Sequence, residues 1–167
     1  MKIASDYFDK GLGKSLGFLV GALVLGTAFP HLLKSITGNI SWDAVIILTS
    51  SIALLGGLLM ILFVPLGPYN KTSSGFEFSA FFKVFRKKTF RQAAFGYFGH
   101  MWELYAFWAF VPVLIVMFNS LNQNSHLDVS LWSFIIIAIG GLSCVGSGIL
   151  SGTFGTKKVA SVALAIS

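Results

Sequence analysis

Two side chains able to hold or pass a proton, His100 and Glu103, sit in the stretch GHMWELY, inside an apolar run from about Ala93 to Phe118. On an α-helix, positions 96, 100, 103 and 107 fall on one side, so Gly96, His100, Glu103 and Phe107 share a face. At a spacing of three residues an imidazole and a carboxylate can share a hydrogen bond or a proton. Tyr97, Trp102, Tyr105 and Trp108 surround the pair with aromatic surface and a few polar edges. A charge at mid-bilayer costs about 2.5–3.5 kcal/mol on insertion scales, so such a residue is expected to face a bundle interior or a water-filled cavity. Two uses follow. Glu103 and His100, with Tyr97, Trp102 and Tyr105, line a substrate or proton pathway, or the pair is a structural hydrogen-bonded link between helices that needs no transport role.

Other chemistries have less support. His31, His100 and His126 fall on different levels, and no HEXXH pattern occurs, so no metal site is expected. GLGKS lacks the spacing of a phosphate-binding P-loop. The single cysteine, Cys144, lies in an apolar run and reads as a small hydrophobe. Neither an enzyme activity nor a cofactor is expected.

The elements that must position these residues are membrane spans. Of 167 residues 55% are hydrophobic and only 11% charged, which places the chain among all-α integral membrane proteins. About 20 apolar residues cross a ~30 Å hydrocarbon core. Four stretches qualify: about Ser15 to Leu33, Asp43 to Val64, Ala93 to Phe118 and Leu131 to Leu150. A fifth, Val159 to Ser167, is cut short, and a piece of a larger protein is the simplest reading; a short tail at the interface is the other. Eleven of the twelve Lys and Arg residues fall before the first span, between the second and third, or after the fourth; only Lys34 falls on the opposite side. By the positive-inside rule those three segments are cytoplasmic, in a multi-pass protein of the cell (inner or plasma) membrane. The net charge of +6 is thereby explained without a nucleic-acid partner; the partner expected is the lipid bilayer.

The loop between the second and third spans opens with PLGPYNKTSSG, which cannot continue a helix. In FEFSAFFKVFRKKTFRQ, Phe81, Phe82, Phe85 and Phe90 interleave with Lys83, Arg86, Lys87 and Lys88. That pattern suits a short amphipathic helix in the membrane interface, or else a solvated linker. The first span carries Gly13, Gly17 and Gly21 at four-residue spacing, a stripe that lets another helix approach closely. The fourth is equally glycine-dense, with Gly140, Gly141, Gly146 and Gly148, so the two are expected to pack side by side. FPHLL is expected to end the first span, with Pro30 bending its outer end and His31 near the interface.

In order and spacing these features resemble the major facilitator superfamily, from the start of its fifth transmembrane helix to the start of its ninth. GKSLGFLVGALVLGTAFPHLL is similar to the family's fifth helix, a glycine-rich stretch ending in proline. The long basic loop falls where the family joins its two six-helix halves. GILSGTFGTKKVA resembles the family's loop signature Gly-x-Leu-x-Asp-Arg-x-Gly-x-Lys through Gly148, Leu150, Gly155 and Lys157. Gly152 and Thr153 stand where the family often has Asp and Arg, so the charge-relay role of that pair does not carry over. The resemblance implies a partial major-facilitator-like bundle of four full spans and a truncated fifth. Residues 1–64 would end the N-terminal half, 65–92 form the cytoplasmic linker and 93–167 begin the C-terminal half. It further implies alternating access with the site near the bilayer midplane, a small-molecule substrate, a proton as candidate coupling ion, and the remaining helices of a full-length transporter as partners. The first and fourth spans would meet between the halves. The other class of function is a small standalone four-helix assembly or signalling subunit. No arginine lies inside a span, which disfavours a strong inorganic anion as substrate of this half.

The charge asymmetry predicts that Ser74 is cytoplasmic and Asn122 outside. In a Cys144→Ser background, an impermeant thiol reagent added to intact cells should label Asn122→Cys and spare Ser74→Cys; the reverse pattern refutes the topology.

Overall fold

The structure is a computed structural model that describes residues 4, 6–8, 11–38, 40–65, 67–69, 78–122 and 126–166. Among them lie helices α1 (Leu12–Thr37), α2 (Trp42–Phe63), α3 (Phe78–Arg86), α4 (Lys88–Leu121), α5 (Val129–Phe154) and α6 (Thr156–Ile166), and no strand. By length and composition α1, α2, α4 and α5 can cross a membrane. α1, α4 and α5 begin and end a few residues beyond the apolar runs that mark them, because polar residues at an end continue the backbone ladder, while α2 agrees with its run to within one residue at each end. FPHLL does not end α1, which runs on to Thr37 and stops at Gly38 in the left-handed region at φ 64°. Pro30 cannot donate one backbone hydrogen bond, yet breaking the helix there would leave several groups unpaired in apolar surroundings. Most of PLGPYNKTSSG lies outside the described residues.

The dominant packing is between α1 and α5. An ideal Cβ placed on Gly17 would stand 2.9 Å from the Cys144 carbonyl oxygen and 2.9 Å from the Gly148 Cα. One on Gly21 would stand 2.9 Å from the Gly141 carbonyl oxygen, and one on Gly13 would stand 2.6 Å from the Ser151 hydroxyl oxygen. Residue numbers rise along α1 as they fall along α5, so the helices run antiparallel. Toward the Thr37 end the glycines give way to larger residues, and Val24, Ala28 and Ile137 form a small buried core, with Val20, Trp108, Phe134 and Ala138 packed on it. An ideal Cβ on Gly140 would meet only Val24, at 3.8 Å, while one on Gly26 or Gly146 would meet open space. Serine hydroxyls in α5 bond back to its own carbonyls, Ser133 to Val129 at 2.6 Å, Ser147 to Cys144 at 3.0 Å and Ser151 to Gly148 at 2.8 Å. No polar hydrogen on these side chains is left to face hydrocarbon.

The other spans are held more loosely. α2 has no buried residue, and side chains such as Leu54 and Leu62 are largely exposed. α4 lays one stripe against the bundle, with Val111 and Ile115 buried and Leu104, Trp108 and Asn119 half-buried. Polar contacts close the two ends. At one end, Tyr69 N–H donates to the Asp6 carbonyl at 3.0 Å and the Tyr7 hydroxyl donates to the Pro65 carbonyl, joining the N-terminal segment to the central loop. At the other, Asn119 donates to the Leu127 carbonyl at 2.8 Å and accepts from the Leu127 N–H at 3.0 Å. Asp128 caps α5 by accepting from the N–H groups of Ser130 and Leu131, and its second oxygen accepts from the Ser35 hydroxyl of α1 at 2.8 Å. The Leu131 N–H first, with the Ser35 hydroxyl and the Ser130 N–H, holds the Asp128 carboxyl below its ordinary range.

Two outcomes test this packing. Gly17→Ala or Gly148→Ala puts a methyl into backbone; overpacking costs about 1–3 kcal/mol, more than the roughly 0.5–1 kcal/mol that alanine gains over glycine in a helix. Gly26→Ala and Gly146→Ala meet open space and keep that gain. Denaturant titration in mixed micelles should therefore show loss for the first pair and no loss for the second. The Asp128 carboxylate, being easier to ionise when folded, stabilises the fold fully above the ordinary carboxylate range and loses that contribution as pH falls through its lowered folded value. Asp128→Asn keeps a cap but cannot titrate, so its unfolding midpoint should fall less steeply on the acid side than that of the unaltered chain, where Asp43, also held below its ordinary range, adds to the decline.

Candidate functional site

The middle of α4 carries the titratable pair, and local sequence explains why it is helical. From Ala93 to Phe118 the chain is apolar apart from the residues already named, and its one proline, Pro112, is accommodated inside the helix. A long helix satisfies its own backbone throughout, so only side chains need polar partners at this depth.

His100 and Glu103 do not have the same surroundings. His100 continues the stripe of Leu104, Trp108, Val111 and Ile115 by which α4 packs, and it is half-buried. Together with Gln92, Gly96 and Tyr97 it lines a groove of about 420 Å³ whose opposite wall is α6, through Ala160, Ala163 and Leu164. Its Nδ1 is buried and, among the described residues, has no hydrogen-bond partner. A buried imidazole nitrogen calls for a donor or an acceptor. Glu103, one helical step off the stripe, is exposed on the surface of these helices, as is Phe107.

The aromatic residues divide similarly. Tyr97 belongs to the groove beside His100 and is 59% exposed. Trp102 and Tyr105 lie in a second groove along α4, of about 490 Å³, with Phe98, Met101 and Ala106. The rings of Tyr105 and Trp108 meet edge to face at 5.5 Å, which fixes the Tyr105 ring beside the core. Trp108 itself packs on the buried cluster. The residues singled out in the sequence thus fall into two adjoining surfaces of α4, one half-covered by α6 and one open.

The loop-signature residues have evident local roles. Gly148 is part of the α1–α5 contact, where an ideal Cβ would stand 2.8 Å from the Gly17 Cα. Gly155 ends α5 at φ 85°, a conformation that favours glycine, and this turn lets α6 begin at Thr156. Lys157 is exposed in the first turn of α6. Among the described residues no cluster of three His, Cys, Asp or Glu is placed to hold a metal.

Sequence reasoning passed over Asp128 and Asn119. The first was detectable, since an aspartate immediately before an apolar run is a helix-start signal. The second had no such signal, because its partner is a loop backbone that comes near only when the hairpin closes. No family model matches the chain, and neither a curated protein nor a solved structure is similar to it.

Proposed function

We propose that the chain is part of a major-facilitator-like secondary transporter of the cell membrane, moving a small solute by alternating access, with Glu103 as a proton carrier. The supporting observation is the α1–α5 contact: two antiparallel spans on either side of a long basic linker, joined through glycines at backbone distance. In the resembling family the corresponding helices meet between the halves, and a small-residue interface between rigid bundles suits rocking of one against the other. In this reading the uncovered surfaces of α2 and α4 face further helices and lipid. The substrate pathway passes the α4 surfaces of Tyr97, His100, Trp102, Glu103 and Tyr105, and no covalent chemistry on the substrate is assigned.

Glu103 is the residue whose presence most needs explaining. A carboxylate on an apolar helix, exposed on the surface of these helices, is tolerated where it faces a polar cavity, and there it can be loaded and unloaded with a proton as access alternates. In the full-length protein reconstituted in liposomes, Glu103→Gln should abolish proton-driven accumulation while leaving counterflow exchange largely intact, because glutamine keeps shape and hydrogen bonding but does not ionise. Accumulation with unchanged pH dependence would remove the proton role. Loss of folding would make Glu103 a packing residue. Absence of any solute flux in the unaltered protein would favour the assembly-subunit reading.

A further inference from the structure

We infer that the junction of α3 and α4 is a binding surface for anionic phospholipid headgroups, with Phe82 as its apolar anchor. Lys83, Arg86, Lys87, Lys88 and Arg91 are all exposed, and the sequence holds no carboxylate between Glu77 and Glu103. Five like charges within nine residues repel one another unless an anion is near. α3 is strongly amphipathic, and Phe82 is 70% exposed, an apolar ring that water does not favour. A solvated linker relieves neither strain. The headgroup region of a bilayer relieves both, because it offers phosphates at the level of the charges and hydrocarbon just beneath.

Depth supports the same occupant. The apolar run of α4 starts at Ala93, and at 1.5 Å per residue the helix start at Lys88 lies about 7 Å before it. The headgroup layer on each side of a bilayer is roughly 5–8 Å thick. Lys88 and Arg91 are therefore at phosphate depth if Ala93 marks the hydrocarbon boundary. Only Lys87 separates α3 from α4, and its N–H bonds to the Val84 carbonyl at 3.1 Å while its carbonyl accepts from Arg91 N–H at 3.1 Å. Phe85 and Phe90 meet edge to face at 5.1 Å across this break, so α3 is tied to the first turn of α4 rather than trailing from it. The cations of both helices are presented together, and headgroup binding holds the inner end of α4 at a fixed level.

The surface does not depend on the transport reading, and the test is independent of flux. The full chain in neutral-detergent micelles is titrated with phosphatidylglycerol carrying a fluorescent tail, read by energy transfer from its tryptophans. Unlabelled phosphatidylglycerol, phosphatidylcholine and inorganic phosphate serve as competitors. Phosphatidylglycerol should displace the probe and phosphatidylcholine should not. Each of Lys83→Gln, Arg86→Gln, Lys87→Gln, Lys88→Gln and Arg91→Gln should weaken binding by about fivefold, the equivalent of ~1 kcal/mol per basic residue near an anionic surface. Affinity of the unaltered chain should fall as salt is raised, a readout that needs no variant. Equal displacement by phosphatidylcholine, insensitivity to salt, or full affinity after all five substitutions overturns the inference. Displacement by inorganic phosphate as efficient as by phosphatidylglycerol would make this a free-phosphate site and equally overturns it.

Discussion

Everything else in this structure hangs on the approach of α1 and α5 to backbone distance. Between helices immersed in lipid, apolar burial contributes little, because the tails are as apolar as leucine. What remains is dispersion between well-matched surfaces and weak contacts between backbones, and both need the axes close together. Glycine at 13, 17 and 21 on one helix, and at 141 and 148 on the other, removes the atoms that would hold them apart. The buried cluster of Val24, Ala28 and Ile137 continues that contact, and Trp108 of α4 packs on it. The packing of α4 on the bundle is thus downstream of the glycine contact.

The antiparallel sense of that pair also accounts for the ends. The Ser35 turn of α1 is brought beside the Asp128 cap of α5, so one carboxylate closes a helix start and bridges two spans. The N-terminal segment and the central loop meet at the opposite end. Among the described residues, lysine and arginine other than Lys34 concentrate toward that second end, a distribution of the kind the positive-inside rule associates with one side of a membrane. Backbone direction, charge distribution and end contacts agree without sharing a common cause in local sequence.

α4 carries a different constraint. One side is committed to packing through Leu104, Trp108, Val111 and Ile115, and His100 extends that side into a groove shared with α6. The neighbouring side carries Glu103 and is open. A helix that places an imidazole at the edge of its packed stripe and a carboxylate just off it keeps two titratable groups near each other with unequal surroundings. The division arises because a step of three residues turns the helix by about 300°, short of a full turn, so positions 100 and 103 share a broad face without sharing neighbours.

Helical class, four helices long and apolar enough to cross a membrane, and the glycine stripes were determined by the sequence alone, because each is a property of a single segment: length of an apolar run or a four-residue period. The amphipathic helix before α4 was legible for the same reason, although its first turn is where the pattern of Phe81 and its neighbours passes outside the described side chains. Tertiary structure decided what no segment contains. It determined which glycines touch, so that Gly17 and Gly148 meet backbone while Gly26 and Gly146 meet nothing, though all four look alike in sequence. It carried α1 past Pro30, because a broken helix leaves more unpaired backbone than a proline does. It separated His100 from Glu103 by the approach of α6, a helix more than fifty residues further along the chain. A contact between distant segments depends on the shape of both, and periodicity within one of them holds no information about the other.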